Sequence, residues 1–228
     1  LGSTTIICTD KTGTLTRNQM TVRAFFVNGE NYGVSGRGFD PTDGKLQISG
    51  KNLPETSLAE LHTDIAFRQS VATCLLCQNS NLNLIDGTWE SVGDPTDSAC
   101  AVFGWKLKES VDSYRRRHPR FREFTFDRTR KRMTTIHEFD GQRWAFSKGA
   151  LGPFMGIATH IYENGEIVPL EGKHKDAISE VNLEYASRAL RVLALCARKI
   201  GDDVDIDDVE SVESDMIFLG LVGIMDPP

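Results

Sequence analysis

The stretch Cys8-Thr9-Asp10-Lys11-Thr12-Gly13-Thr14-Leu15-Thr16 constrains this chain most, because an apolar run stops there and a loop of glycine and hydroxyl residues begins on a carboxylate. Thr4 to Cys8, with Ile6 and Ile7 at its heart, reads as a buried parallel strand. Asp10 would then sit at the carboxyl end of that strand, where α/β sheets keep their sites. A carboxylate so placed suits covalent phosphoryl transfer, since an aspartyl-phosphate divides one hard displacement into two easier ones. Lys11 and the hydroxyls of Thr12 and Thr14 could balance charge on the transferred group, with Mg²⁺ bridging carboxylate and phosphate. On pattern alone, a strand followed by a polar turn explains the same residues.

The heptapeptide Asp10 to Thr16 resembles the phosphorylation signature of P-type ATPases. The resemblance implies that Asp10 takes the γ-phosphate of ATP and that Lys11 and Thr14 contact the phosphoryl group. It also implies that Mg²⁺ is held by Asp10 and the backbone carbonyl of Thr12. The related haloacid-dehalogenase-like phosphatases keep a second aspartate two residues on, where this chain has Thr12. A carboxyl there would serve as general acid and base. Without it the aspartyl-phosphate should persist, which suits a pump better than a phosphatase.

At 228 residues, with 39% hydrophobic and 25% charged residues, the composition is that of a globular protein with a real core. The balance of 26 basic to 32 acidic residues, a net charge of −6, argues against a general nucleic-acid or anionic-membrane surface. No signal peptide is evident, and no apolar stretch approaches the ~20 residues needed to span a bilayer. If the chain is part of a pump, the membrane portion lies outside it. Five cysteines without framework spacing point to a reduced cytosolic setting. Cys74 and Cys77 form a lone C-x-x-C inside a helical run and read as buried thiols.

Several later stretches carry the resemblance onward. Arg17 to Val22 is similar to the hinge leaving the family's phosphorylation domain, and Asn28-Gly29 is a sharp hairpin signal between Thr21–Asn28 and Tyr32–Ser35. Helical spacing runs from about Ser57 to Gln78, and a second helix is expected from Pro95 to about Trp105. The segment Gly93-Asp94-Pro95-Thr96-Asp97 resembles one lining the family's adenine pocket, with Asp97 where a longer glutamate is usual. Phe126 to Met133 resembles the segment in which Phe126 would stack on adenine, Arg128 would reach the phosphates and Met133 would pack near the base. Lys148-Gly149-Ala150 resembles the strand end at which Gly149 would let the backbone approach the ligand. Lys148 would lie beside adenine or reach toward phosphate, in the pocket mouth, where partial desolvation beside other cations would lower its pKa and make its amine reactive. Leu190 to Leu195 resembles the strand beneath the pocket, with Arg191 toward phosphate and Leu193 toward the base. The Arg115 to Arg120 run reads as solvated surface. Asn164-Gly165 marks another hairpin, Glu171 to Ala189 a long amphipathic helix, and Phe218 to Pro228 resembles the family's second hinge.

These features predict an α/β (α+β) fold, a twisted antiparallel sheet flanked by helices. Residues 1–17 would be the strand and phosphorylation loop, 18–221 the nucleotide-binding domain, and 222–228 the second hinge. The resemblance implies the ATP-binding, phosphoryl-accepting part of a cation pump, calcium-like in type, on the cytoplasmic face of a membrane. Its cofactors would be ATP and Mg²⁺. Its partners would be the remaining phosphorylation domain, an actuator domain and transmembrane helices, while the fragment itself would be soluble and monomeric with negligible turnover. The alternatives are a soluble phosphatase of the haloacid-dehalogenase type and a non-catalytic nucleotide-binding module. The transported ion is unreadable because its ligands would lie in helices outside the sequence.

Overall fold

Two-residue turns with left-handed backbone shape most of the sheet. The computed structural model describes residues 19–36 and 38–226, so the strand and loop around Asp10, Lys11, Thr12 and Thr14 lie outside the described residues. The strands in chain order are β1 (Thr21–Val27), β2 (Glu30–Val34), β3 (Leu46–Ile48), β4 (Lys51–Asn52), β5 (Asn81–Ile85), β6 (Thr88–Val92) and β7 (Arg120–Asp127). They continue as β8 (Arg132–Phe139), β9 (Gln142–Gly149), β10 (Ala158–Glu163), β11 (Glu166–Pro169), β12 (Arg191–Lys199) and β13 (Met216–Met225). The helices are α1 (Glu55–Leu61), α2 (Ile65–Leu76), α3 (Pro95–Lys106), α4 (Val111–Arg117), α5 (Leu151–Met155), α6 (Gly172–Ser187) and α7 (Val209–Val212).

Asn28-Gly29, with φ of 53° and 76°, joins β1 to β2, and Asn164-Gly165, with 54° and 83°, joins β10 to β11. Positive φ at both central residues gives the turn whose twist matches that of paired strands. Asp86-Gly87 and Asp140-Gly141 do the same for β5-β6 and β8-β9.

The main sheet runs β4-β3-β2-β1-β13-β12-β9-β8-β7, with β10 pairing β13 and β11, and β5-β6 stands apart as a hairpin. Its pairings are antiparallel except β10 with β13. Successive residues of a strand face opposite sides, and the central strands use this to serve two cores. Leu195 and Ala197 of β12 enter one core with Phe67 of α2, Phe103 of α3 and Tyr114 of α4. Ala194 and Cys196 enter the other with Phe154 of α5 and Tyr185 of α6. Helices therefore cover both faces. β13 continues through residues 222–225, paired with both β1 and β12.

Three details differ from the sequence reading. The helix expected over Ser57 to Gln78 is two helices, because Asp64 takes extended backbone and its carboxylate caps α2 by accepting from Phe67 N at 2.8 Å. Nor is α2 amphipathic: it is buried nearly all round, since the sheet lies under it and α3 and α4 pack on it. Cys74 and Cys77 are buried there as expected. Third, the Arg115 to Arg120 run is not simply solvated. Arg115 donates to the carbonyl of Gln78 at 2.8 Å, and Arg120 to those of Leu76 and Gln78 at 2.8 and 2.9 Å. These are carbonyls at the C-terminal end of α2, which no further helical turn can satisfy.

Candidate nucleotide site

The ends of β7, β8, β9 and β12 and the start of α3 converge on a cavity of about 620 Å³. Thr96, Asp97, Phe126, Arg128, Met133, Lys148, Gly149, Ala150, Arg191 and Leu193, which come from four separate stretches of sequence, all line it. Asp94, Lys131 and Val192, inside the quoted segments but not singled out, also line it, and so do Asn79, Glu123 and Thr125, which lie outside those segments. Neighbours of the quoted segments could have been anticipated from adjacency, but Asn79, just beyond the end of α2, has no motif to mark it.

A bulge opens the upper wall. Between the pairs Phe124–Thr134 and Asp127–Arg132, β7 has two residues, Thr125 and Phe126, against the single Met133 of β8. Such an extra residue bends its strand and re-aims a side chain. Phe126 accordingly is 59% exposed although it lies in a strand, while Met133 across from it is buried. The exposed ring of Phe126, the buried thioether of Met133 and Leu193 supply the apolar part of the lining. Arg128, Lys131 and Arg191 add positive charge around it.

The floor is polar. Asp94 begins α3, its carboxylate accepting from Thr96 N at 2.8 Å with Pro95 in the first turn, as the sequence implied. One turn on, Asp97 accepts from Asn79 N at 2.9 Å and from Lys148 Nζ. Lys148 is buried and paired, so the expectation of a partly desolvated, reactive amine of lowered pKa is corrected. Burial alone would lower its pKa, but Cys100, Asp97 and Cys77 outweigh burial and hold the ammonium above the ordinary lysine value. Arg191 Nη1 donates to Thr96 Oγ1 at 3.1 Å and ties β12 to the start of α3.

Gly149 is required by the packing of the strands themselves. A Cβ on it would lie 2.3 Å from the Lys131 carbonyl oxygen and 2.6 Å from Arg132 Cβ. The close approach is thus between β9 and the β7-β8 turn, and the carbonyl it accommodates accepts from Ala150 N at 3.0 Å.

Architecture and cavity together define an antiparallel-sheet α/β domain with an aromatic, cation-rimmed cleft at its strand ends. A family model described as P-type ATPase, cytoplasmic domain N, matches residues 66–228. The chain is 36% identical over its whole length to a calcium-transporting ATPase of Bacillus subtilis, of which it covers 25%. It is 35% identical to calcium-transporting ATPase 1 of Bacillus cereus, covering 22%, and 33% identical to a cation-transporting ATPase of Synechocystis, covering 25%. The chain belongs to the P-type ATPase family as its cytoplasmic N domain. It spans about a quarter of the length of these relatives. Among the described residues, no helix is long and apolar enough to cross a membrane.

Proposed function

We propose that this cavity binds the adenine nucleotide of a cation-transporting pump, calcium being the cation that several relatives' names carry. The observation that carries the reading is the convergence of the ten residues named above on one cleft. Phe126 offers a ring face for stacking, Met133 and Leu193 supply apolar walls, and Arg128 and Arg191 lie at the rim for the phosphates. Asp97 and Lys148 are engaged with each other, so they orient the floor rather than present free charges. Asp10 is the proposed phosphoryl acceptor, with Lys11 and Thr14 on the transferred group. The Asp10 carboxylate and Thr12 carbonyl are the proposed ligands of Mg²⁺, which supplies charge neutralisation when bound. These four residues lie outside the described ones.

The sheet topology supports the insert-like organisation. Thr21 at the start of β1 pairs with Met225 at the end of β13, so the chain enters and leaves the domain side by side. An element inserted between two connections of another domain requires that arrangement. The remaining phosphorylation domain, the actuator domain and the membrane helices are the proposed partners.

Calorimetric titration with ATP and ADP tests the site. Stacking on one aromatic ring contributes ~1 to 3 kcal/mol, and ~1.4 kcal/mol is tenfold in affinity, so Phe126→Ala should weaken binding about tenfold or more. Equal affinity in the variant would remove Phe126 from the site.

A further inference from the structure

Glu213 is not among the residues that line the cleft, yet its carboxylate is bound to the strand pair that forms the cleft's upper wall. It follows α7 directly, its N–H donating to the Val209 carbonyl at 2.9 Å, and its side chain is 1% exposed. Both carboxylate oxygens are engaged. Oε1 accepts from Arg130 and, at 2.6 Å, from Thr134 Oγ1, while Oε2 accepts from Arg132 Nε at 2.7 Å. Arg198 of β12 steadies the same segment by donating to the Ser211 carbonyl and, at 2.5 Å, to Ser214 Oγ. A buried charge is tolerated where it is paired and hydrogen-bonded, and two guanidinium groups and a hydroxyl meet that need here. Met133 lines the cleft, so Thr134, next in β8, faces the other side of the sheet. Glu213 therefore grips β8 from the face opposite the cleft.

The grip reaches the bulge through Arg130. One of its terminal nitrogens donates to Glu213 and the other to the Thr125 carbonyl at 2.9 Å. Thr125 and Phe126 are the two residues set against Met133. The extra residue of a bulge is left unpaired by the ladder, so a donor from outside the ladder decides how it sits. The backbone of Arg130 is fixed as well, because Asp127 accepts from the N–H groups of Thr129 and Arg130 at 2.9 and 2.8 Å. Arg130 and Arg132 carry like charges two residues apart, and the carboxylate between them offsets their repulsion.

We propose that Glu213 is a positioning residue for the nucleotide: acting through Arg130, it holds the β7 bulge in the form that presents the Phe126 ring to the cleft. This rests on the nucleotide reading of that cleft. Glu213 touches neither base nor phosphate, and its effect on binding passes through the ring.

The test is a double-mutant cycle read by calorimetric titration of the 228-residue chain with ATP. Arg130→Met is the first variant, because Arg130 is 23% exposed and its loss leaves Glu213 with Arg132 and Thr134. It should weaken ATP about threefold to tenfold, with the share of Phe126 itself as the ceiling. In a Phe126→Ala background the same change should alter affinity by less than about twofold, since no ring is left to place. A loss of equal size in both backgrounds would overturn the proposal, because a missing charge or a general loosening acts whether or not the ring is there. Glu213→Gln removes the charge common to both arginines and should follow the same pattern. Unchanged ATP affinity in a folded Glu213→Gln would overturn the part given to Glu213. Hydrogen exchange without nucleotide supplies a separate reading. Residues 124–133 should exchange faster in Arg130→Met while the rest of the sheet does not, and unaltered exchange there would overturn the clamp. If the unaltered chain binds no ATP, the nucleotide reading fails and takes Glu213's part in affinity with it, while the exchange result still decides whether the clamp holds the bulge.

Discussion

Breaking the Asp97–Lys148 pair from the lysine side should cost this domain a large share of its stability. Lys148 is 5% exposed at the side chain and Asp97 12%, and they hydrogen-bond directly. Removing one partner of a buried ion pair typically costs ~3 to 5 kcal/mol, because the other charge is left behind without compensation. Lys148→Met leaves the Asp97 carboxylate with the Asn79 N–H and some solvent, which places the expected loss near the low end, about 3 kcal/mol. The double variant Asp97→Asn/Lys148→Met removes both charges and should recover most of that loss. Urea unfolding of the three proteins measures it. A single-variant loss below about 1 kcal/mol, or a double variant costing the sum of the singles, would refute the reasoning. The pH dependence has a definite sign. Lys148 is held above its ordinary value, so its stabilisation is complete below the unfolded lysine value of ~10.4 and is lost only as pH rises through the folded value. Asp97 is one of the groups that raise the value, after Cys100, so Asp97→Asn should bring the folded value down toward the unfolded one. That variant's deficit against the unaltered chain should therefore stay level up to ~10 and shrink only above it, as the unaltered chain loses its own stabilisation.

Two further outcomes follow from the packing. Gly149→Ala should destabilise by ~1 to 3 kcal/mol in thermal or urea unfolding, since its Cβ would meet backbone at the Lys131 carbonyl rather than a side chain that can swing away. Lys106 is buried at the end of α3 and donates to the Ser35 carbonyl at 2.8 Å, with burial lowering its pKa to about 8. A base whose folded pKa lies below its unfolded one weakens the fold while charged, so stability should rise as pH climbs from about 8 toward ~10.4, and Lys106→Met should flatten that rise by on the order of 1 to 2 kcal/mol.

Much of the scaffold was legible because its signals are local. Asn28-Gly29 and Asn164-Gly165 mark their turns by the backbone they must adopt, and the two-faced burial of β12 and β13 is present as continuous apolar runs. The break between α1 and α2 was harder, because Leu58, Leu61 and Ile65 keep helical spacing across it and only the carboxylate of Asp64 reveals that a new helix starts. The lining of the cleft was legible through family resemblance, which names residues without saying how they are held. What resemblance could not convey was the state of each residue. The charge of Lys148 depends on Asp97, which lies 51 residues away in sequence and is brought to it only by folding.

The cleft exists because regular structure fails there at one point. An unbroken β7-β8 ladder would place Phe126 in register opposite a single partner on the pleated surface. Two residues against Met133 instead turn Phe126 outward, where a ring can meet a flat ligand. The same irregularity brings the β7-β8 turn against the end of β9, where the Lys131 carbonyl takes the Ala150 N–H and leaves no room for a side chain on Gly149. The exposed ring and the missing side chain are thus two consequences of one turn geometry. A substitution at Gly149 should accordingly disturb the Phe126 wall even though the two residues belong to strands separated by β8.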